Sequence, residues 1–336
     1  MSKLLTISIP TFNRSEMLLR QLKWLAEEVP KFADECNIVV HDNCSTDDTK
    51  KTVEEWQSTL NPNIDFTYHR HERNIGGMAN IESCIKAANG RFVWTLGDDD
   101  PIKPGTVADI IKYLKTHQDL GLLLLNGNGR DARTGEIKIK QWFRKHVETP
   151  MPDVKDFNYF LLHNSGGILF ISSVVYRTKF VKKALLEWPD SNKNLAAQAF
   201  WVAYCAARGN FIITSTLYTE CTMGIGFTDK DPQWTFKMRY RDLPEVYRRL
   251  MMHGYDKTFC LRRVLQNVKN KQSIKIFLGS FRRWPLFATT GGATYLKTIF
   301  QTIGFYIFGK SEAIAESTLE EQEVAPVAAS SVNLNR

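Results

Sequence analysis

Short apolar runs alternate with helical patterns through the first 126 residues. Five of these runs are typical of β-strands, and they cover residues 4–9, 37–41, 64–69, 91–96 and 121–126. Three of them approach the continuous apolar character of strands that are covered on both faces of a sheet. Strand, helix and strand repeated at this spacing predict right-handed crossovers and a mostly parallel sheet.

Helical periodicity predicts two of the connections. Met78, Ile81 and Ile85 keep the spacing of an amphipathic helix, which Asn89-Gly90 ends as a C-terminal cap. A second helix is expected to open at STDD, with Ser45 as its N-cap and Asp48 at the reciprocal position of a capping box.

The middle of the chain is less regular than its beginning. We expect a turn between two strands at residues 131–136, a buried strand at 168–176, and a helix at 195–209 that is closed by a glycine.

Polar motifs follow four of the predicted strands, each at the point where the strand ends. In chain order they are PTFNRSE, DNCSTDD, RHERNIGG and GDDDPIKP. Because ligands of open α/β sheets bind beyond the carboxyl ends of the strands, the four motifs predict one shared site. Taken separately, each also has an ordinary explanation as an Asx-turn, a solvated loop or the start of a helix.

Three consecutive aspartates, Asp98 to Asp100, stand in the fourth motif. Carboxylates at a strand end suit Mg²⁺ or Mn²⁺, which is typically held by one or two carboxylates together with substrate phosphates. The alternative is an aspartate-rich turn that caps the helix beginning near Pro104. The other three motifs at the same sheet edge favour the metal site.

The four motifs together resemble the pattern of glycosyltransferase family 2, the inverting nucleotide-sugar transferases. The resemblance covers roughly residues 4–125 and rests on ISIPTFNRSEML, IVVHDNCSTDDT and RNIGGMANIESCIKAANGRFVWTLGDDD. It implies an α/β fold of the GT-A type, with a Rossmann-like, mostly parallel sheet and flanking helices. The variant looks most like the abequosyltransferase-like sugar transferases of bacterial surface polysaccharide assembly. The implied activity moves a sugar from a nucleotide-diphosphate donor to a glycan or a polyprenyl-lipid-linked acceptor.

The resemblance also implies which residues bind the donor. They are Pro10, Thr11, Asn13, Arg14, Asp42, Arg73, Asn74 and Asp98. Asp42 is implied to contact the base, and Mg²⁺ or Mn²⁺ is implied at Asp99 and Asp100. Asp99 is the expected chief ligand, with Asp98 and Asp100 assisting through metal or ribose contacts. The chain departs from the common family form L-D-x-D-D, because Gly97 stands where the first aspartate would be.

The general base of the reaction is the second departure. The family usually supplies an aspartate of an E-D pair that opens a helix before a glycine, but counting back from Gly209 reaches Gln198. Since an amide cannot act as a base, we assign the role to Asp190, with Glu187 and His163 as further candidates. A different register, or another stereochemical course, would also explain the glutamine. The missing pair favours a competing function, a non-catalytic nucleotide-sugar-binding or scaffolding protein of a polysaccharide assembly complex.

The cysteines and the start of the chain point to the cytoplasm. The six cysteines include no C-x-x-C pair, which argues against a disulfide framework or a structural zinc site and predicts a reducing location. Residues 1–10 run directly into the first strand, without the apolar stretch of a signal peptide.

The net charge of +8 is concentrated late in the chain, since residues 257–310 carry ten Lys and Arg and no Asp or Glu. With its interleaved aromatic residues, this region predicts in-plane attachment to an anionic membrane, at the inner face of the cell membrane. A transmembrane span at residues 286–308 is the nearer competitor, but glycines and five threonines lower its apolar density. A solvated basic region balancing an acidic tail is the remaining explanation. No nucleic-acid-binding motif is present, and no such partner is expected.

The expected organisation follows from these observations. Residues 1–230 form a GT-A-like glycosyltransferase domain, with a nucleotide-sugar half at about 1–126 and an acceptor half at about 127–230. Residues 231–310 form a basic amphipathic helical region, and residues 311–336 form a disordered tail rich in Ala, Ser and Glu.

Overall fold

A computed structural model describes residues 3–152, 154–163, 165–226 and 231–311, apart from the side chains of residues 154–156, 159, 162 and 165. In this part of the chain nine strands form one sheet with helices on its faces. The strands are β1 (Leu5–Thr11), β2 (Cys36–Asp42), β3 (Asp65–Arg70), β4 (Phe92–Thr95), β5 (Leu120–Asp131), β6 (Ile137–Ile139), β7 (Val147–Met151), β8 (Val174–Arg177) and β9 (Asn210–Met223).

The helices alternate with the strands at first and then form a continuous helical region. The first eight are α1 (Ser15–Glu28), α2 (Thr49–Ser58), α3 (Gly77–Ala87), α4 (Thr106–Thr116), α5 (Val154–His163), α6 (Ser165–Ile168), α7 (Thr178–Glu187) and α8 (Ala197–Ala206). The later ones are α9 (Trp234–Lys237), α10 (Leu243–Met252), α11 (Lys257–Lys269), α12 (Lys271–Arg283) and α13 (Pro285–Phe308).

The sheet has the order β3-β2-β1-β4-β8-β5-β9-β7, and β6 pairs with β5. Strands β1 to β4 are parallel to one another, and β5 and β9 run in the same direction, whereas β6, β7 and β8 run antiparallel to their neighbours. The predicted fold class is therefore confirmed: six strands run one way, and the exceptions lie in the second half.

Strands β1, β2 and β4 are buried because helices cover both faces of the sheet. Alternate residues of β1, such as Ile7 and Ile9, join a hydrophobic cluster with α1, α2 and α4. On the other face Ser8 donates a hydrogen bond to the carbonyl of Cys84 in α3. Both faces of these strands are therefore buried, and the buried polar residues Thr6 and Ser8 of β1 are hydrogen-bonded.

Two local predictions are wrong. Helix α2 begins at Thr49 with Asp48 as its N-cap, and the Ser45 hydroxyl instead accepts a hydrogen bond from the backbone of Asn13. The run at 168–176 forms a strand only from Val174, because residues 171–173 form a turn of 3-10 helix. The turn at 131–136 is confirmed, and the helix predicted at 195–209 is present but shorter, as α8.

The C-terminal helices pack on the second half of the sheet. Tyr240, Tyr247 and Tyr295 belong to the same hydrophobic cluster as Val174 of β8 and Phe200 of α8. The proposed boundary near residue 230 therefore does not separate two hydrophobic cores. Residues 312–336 of the predicted tail lie outside the described residues.

None of the helices in the described ranges is both long enough and apolar enough to cross a membrane.

Candidate functional site

The four polar motifs meet at the carboxyl edge of the parallel strands. Thr11, Asp42 and Arg70 end β1, β2 and β3, and they are direct partners in the strand register. The loop after β4 carries the aspartates and reaches back to the end of β1, since Thr11 Oγ1 donates to Asp98 Oδ2 at 2.7 Å. The sequence therefore placed these loops correctly at one edge.

Arg14 joins the first and fourth loops. Its Nη1 donates to Asp98 Oδ1 and to Asp99 Oδ2, at 2.8 Å in each case. Its Nη2 donates to the carbonyl oxygen of Ile225 at 2.9 Å. One guanidinium thus holds two carboxylates of the aspartate run and the segment that follows β9.

Burial makes ionisation of the three aspartates unfavourable. Burial raises the pKa of Asp98 to about 6, although Arg14 acts in the opposite direction. Burial also raises the pKa of Asp99, and it raises the pKa of Asp100 well above its ordinary value, with the charge of Asp99 adding to the effect. Because Asp98 and Asp99 share one guanidinium and Asp100 adds a third carboxylate beside them, a further positive charge would stabilise their ionised forms.

Asp100 has its own partners within the protein. Ser172 Oγ donates to Asp100 Oδ2 at 2.5 Å, and the backbone N–H of Thr222 donates to Oδ1 at 3.3 Å. Asp98 and Asp99 thus converge on the Arg14 guanidinium, whereas Asp100 does not contact it. The metal role of Asp100 stays a prediction.

The donor set at Asp98 and Asp99 fits a divalent cation. Two carboxylate oxygens already converge on one positively charged nitrogen, and Mg²⁺ is commonly held by one or two carboxylates plus substrate phosphates. No group of three or more His, Cys, Asp or Glu side chains among the described residues has the arrangement of a self-sufficient metal cage. Any ion here would therefore need oxygen ligands from the substrate or from water.

Gly97 leaves no room for a side chain. A Cβ at this position would overlap Asp100 Oδ2 and would lie 3.2 Å from Ser172 Oγ, which already accepts a hydrogen bond from the Gly97 N–H at 2.8 Å. The departure from the L-D-x-D-D form therefore has a steric reason, because the Asp100–Ser172 pair fills the space of the missing aspartate side chain.

We predict that Gly97→Ala lowers the free energy of unfolding by about 1–3 kcal/mol, the usual cost of overpacking a filled site. Urea unfolding followed by circular dichroism measures this change. Gly279→Ala in α12 is the control, since a Cβ there meets nothing within 4 Å and should be neutral or stabilising. Equal stability of Gly97→Ala and the unmodified protein would contradict the steric explanation.

Asp42 is fully buried and has three polar partners. The Ser45 N–H donates to Oδ1 at 2.8 Å, the Tyr68 hydroxyl donates to Oδ2 at 2.6 Å, and Arg70 Nε lies 3.4 Å from Oδ2. Burial and the hydrogen bond to Asp42 raise the pKa of Tyr68. The carboxylate is thus fixed in orientation at the end of β2, and its contact with a nucleobase stays a prediction.

Asparagine side chains connect the first three loops. Asn13 has a left-handed backbone conformation, with φ of 53°, and its Oδ1 accepts the Thr46 N–H at 2.7 Å. Asn43 Nδ2 donates to Asn74 Oδ1 at 3.0 Å, and Asn43 Oδ1 accepts the Ile75 N–H at 2.8 Å. These bonds hold the loops after β1, β2 and β3 against one another. Of the other predicted donor-binding residues, Pro10 is half-buried and Arg73 is exposed.

Asn80 of α3 contacts residues near the carboxyl ends of β2 and β3. Its Nδ2 donates to the carbonyl of His41 at 3.0 Å, and its Oδ1 lies 3.1 Å from Nε2 of His71. Burial, with the neighbouring His69 and His71, lowers the pKa of His41 to about 3. His41 is therefore neutral at physiological pH and places no charge beside Asp42.

Gln198, which stands where the family usually has its base, forms a hydrogen bond inside the protein. Gln198 is buried at the start of α8, and its Nε2 donates to the carbonyl of Ile168 at 2.8 Å. Asp190 is exposed and pairs with Lys193, which lowers its pKa and weakens it as a base. Glu187 is half-buried at the end of α7, and His163 is exposed at the end of α5. The assignment of Asp190 stays a prediction.

Sequence reasoning missed the distant partners of the acidic residues. Ser172 and Thr222 hold Asp100, Tyr68 holds Asp42, and Ile225 holds Arg14. Ser172 and Thr222 lie more than 70 positions from Asp100, so no local spacing could have indicated them. Tyr68 was within a predicted strand, and only its register beside β2 brings it to Asp42.

The sheet order and the loops at its carboxyl edge define an α/β protein with the GT-A fold. The chain belongs to glycosyl transferase family 2, whose family model matches residues 6–175.

Two glycosyltransferases, from Salmonella and from Staphylococcus, are similar in sequence to part of this chain. The abequosyltransferase RfbV of Salmonella typhimurium is 30% identical over 145 residues, 43% of each chain. TarS of Staphylococcus aureus, a poly(ribitol-phosphate) beta-N-acetylglucosaminyltransferase, is 29% identical over 223 residues, 65% of this chain and 35% of TarS. This chain thus spans less than half the length of these two relatives.

Solved structures share the fold at low sequence identity. The crystal structure of TarS residues 1–349 aligns with a TM-score of 0.62 and 20% identity, over 89% of this chain and 80% of that one. The same TarS fragment has been solved with UDP-GlcNAc. The mannosyltransferase PcManGT of Pyrobaculum calidifontis, in complex with GDP-Man and Mn²⁺, aligns with a TM-score of 0.50 and 13% identity, over 93% and 89% of the chains.

Proposed function

We propose that the protein transfers a sugar from a nucleotide-diphosphate sugar to a glycan or a polyprenyl-lipid-linked acceptor, in surface polysaccharide biosynthesis of the O-antigen or capsule type. The observation that carries this proposal is the meeting of the four loops at the carboxyl edge of the sheet. Thr11 and Arg14 contact Asp98 and Asp99. Asparagine side chains join the loops after β1, β2 and β3. Membership of family 2 and the nucleotide sugars bound by the TarS fragment and PcManGT support it.

The donor would bind across the joined loops. Its nucleoside would lie near Pro10, Thr11, Asn13 and Asp42, where Asp42 is held by Tyr68 and Ser45 for contact with the base. The remaining proposed contacts to the donor are made by Arg14, Arg73, Asn74 and Asp98. Their positions at the ends of β1, β3 and β4 make one continuous polar edge for a long, anionic ligand.

The proposed cofactor is Mg²⁺ or Mn²⁺, held by Asp98 and Asp99, with Asp100 as a further sequence-predicted ligand. A divalent ion in this place supplies positive charge for the departing nucleoside diphosphate. Thr11 would orient the Asp98 carboxylate toward the ion, while Ser172 and Thr222 hold the loop through the Asp100 carboxylate.

The acceptor hydroxyl must lose a proton during transfer, and we propose Asp190 as the group that receives it. Because its pKa is lowered by Lys193, Asp190 would have to lose that ion pair when the acceptor binds. The glutamine at position 198 favours the competing proposal, in which the protein is a scaffold that binds nucleotide sugars without turning them over.

We also propose a cytoplasmic location at the inner face of the cell membrane, with the anionic membrane surface as a partner. Residues 257–310, which carry the ten basic side chains, are helical through most of their length. This location would bring the site to a lipid-linked acceptor.

Donor binding and turnover test the proposed function. A panel of nucleotide sugars, screened by thermal shift with Mn²⁺ present, should contain one that raises the melting temperature, because a ligand that binds only the folded state stabilises it. That donor should release its nucleoside diphosphate when acceptor is added, and EDTA should stop the release. Binding without release under any condition would favour the scaffold, and the absence of binding by every donor would contradict both functions.

A further inference from the structure

Exposed apolar side chains are concentrated on the C-terminal helices. Among the described residues, four of the large exposed hydrophobic side chains lie elsewhere, and ten lie between residues 268 and 308. The ten are Val268, Ile274, Leu278, Phe281, Leu286, Leu296, Phe300, Tyr306, Ile307 and Phe308. Such a concentration on one region is typical of a surface that is covered by a partner.

Three of these exposed side chains lie along one face of α12. Ile274, Leu278 and Phe281 follow one another at four and three positions, the spacing that places residues on one face of a helix. Ser273 and Ser280 on the other side of the helix are buried. Helix α12 therefore packs one side on the protein and leaves a second apolar face without a partner among the described residues.

Helix α13 packs against α12 and has the same two-sided character. Leu296, Phe300 and Ile307 share an exposed face, whereas Tyr295 and Ile299 are buried in the hydrophobic cluster. Its threonines are compatible with an apolar environment, since each hydroxyl donates to a carbonyl four residues earlier. The donors are Thr289, Thr290, Thr294, Thr298 and Thr302.

Basic side chains accompany both apolar faces. Lys275 and Arg282 are adjacent in sequence to Ile274 and Phe281 and are exposed, as are Lys271 and Lys297. None of the ten basic residues at 257–310 forms an ion pair with an acidic side chain in the described part of the chain. The surface therefore combines unneutralised positive charge with exposed apolar groups.

This combination decides between the possible occupants. In a symmetric dimer the same surface lies on both subunits, so a second copy would bring basic residues against basic residues. Residues 312–336 follow α13 after three intervening residues and carry five glutamates, which could pair with the basic side chains. The segment is rich in Ala, Ser and Glu, however, and offers few large apolar side chains to cover the ten exposed ones. An anionic bilayer offers both a negatively charged surface and an apolar interior.

We propose that the exposed faces of α12 and α13 are the surface by which the protein binds an anionic lipid bilayer. Leu278, Phe281 and Phe300 enter the boundary between headgroups and acyl chains, while Lys275 and Arg282 contact lipid phosphates. This inference rests on the membrane location proposed above and assigns it to particular side chains. It does not depend on the transferase activity.

Flotation of the full-length protein with vesicles tests the surface. Vesicles of phosphatidylcholine containing phosphatidylglycerol should bind the protein, and pure phosphatidylcholine should bind it much more weakly. Lys275→Gln with Arg282→Gln should weaken binding to the anionic vesicles roughly 30-fold, since each basic side chain near the surface contributes about 1 kcal/mol. Leu278→Gln with Phe281→Gln should weaken it at least about tenfold.

Matched variants elsewhere separate this surface from a general effect of charge or hydrophobicity. Lys50→Gln with Lys51→Gln removes two exposed charges from α2, and Leu186→Gln removes an exposed leucine from α7; both should bind as the unmodified protein does. Equal losses in these controls, or no binding to anionic vesicles, would overturn the proposal.

Two further outcomes would show that a second copy of the protein, or residues 312–336, covers the surface instead of a bilayer, and either one would overturn the proposal. The first is a dimer in light scattering that Leu278→Gln with Phe281→Gln dissociates, without vesicle binding. The second is vesicle binding only after deletion of residues 312–336. Donor binding by thermal shift is measured separately without lipid, so loss of the surface and failure of the proposed transferase function give different results.

Discussion

Asp99→Ala should lower the rate of sugar transfer by about 10²–10³-fold, the usual cost of removing one group that stabilises developing charge in an active site. Asp99 is the most exposed of the three aspartates, and its carboxylate is held only by Arg14 among the described contacts. Its removal therefore takes away a proposed metal ligand without emptying a packed site. The release of nucleoside diphosphate at saturating donor and Mn²⁺ measures the effect.

Two controls make the Asp99 result specific. Asp34→Ala removes an exposed carboxylate just before β2, at the opposite edge of the sheet, and should keep full activity. The urea midpoint of Asp99→Ala should stay close to that of the unmodified protein, because Arg14 keeps its ion pair with Asp98 and a carboxylate whose ionisation burial disfavours is removed. Full activity in a folded Asp99→Ala variant would remove the aspartate loop from the proposed mechanism.

The parallel half of the sheet could be predicted because its signals are local. Leu5–Thr11 and Cys36–Asp42 are short runs rich in Ile and Val that are almost entirely buried, and the polar motifs follow directly where the strands end. The shared edge then follows from the geometry of parallel strands. The sequence alone therefore predicted that Thr11, Asp42 and Asp98 lie at the same edge of the sheet.

The contacts that give each aspartate its role could not be predicted in the same way. The run at 168–176 has the composition of a strand, but Ser172 lies in a 3-10 turn that presents its hydroxyl to Gly97 and Asp100. Tertiary contacts therefore override local propensity at this position. The replacement of an aspartate by Gly97 became interpretable only when Asp100 was found in the space of the missing side chain.

The position expected for the general base carries a glutamine in this chain. The helix expected to present a carboxylate does form, but Gln198 at its start is engaged with the carbonyl of Ile168. A packing hydrogen bond at this point means that the glutamine contributes to the fold of the second half. The sequence signal for Asp190 was only its position before this helix, and its surroundings favour the ionised, weakly basic form.

Arg14→Met should destabilise the protein, and Mn²⁺ should reverse part of the loss. Removing the guanidinium leaves Asp98 and Asp99 facing one another, with side chains only 4% and 13% exposed. Breaking a buried ion pair by removing one partner costs about 3–5 kcal/mol, and since the Arg14 side chain is 24% exposed we expect a smaller loss of about 2–3 kcal/mol near pH 8.

The loss should shrink as the pH falls. Burial already raises the pKa values of Asp98 and Asp99 in the folded protein, and without Arg14 they rise further. An acid with a raised pKa in the folded state takes up protons there before it does so in the unfolded chain, so acidification stabilises the variant relative to the unmodified protein. For Asp98, the change should begin above pH 6, as the pH falls toward the raised pKa.

Mn²⁺ should raise the melting temperature of Arg14→Met by more than it raises that of the unmodified protein, because the ion replaces the missing positive charge between the two carboxylates. Arg130→Met is the matched control: it breaks the more exposed ion pair with Glu220, should cost less stability, and should show the same Mn²⁺ shift as the unmodified protein, because Asp98 and Asp99 are unchanged. Equal shifts by Mn²⁺ in Arg14→Met and in the unmodified protein would mean that the ion does not bind where Arg14 lies. A larger shift in the variant would identify the guanidinium as the group that occupies the cation position before the metal arrives.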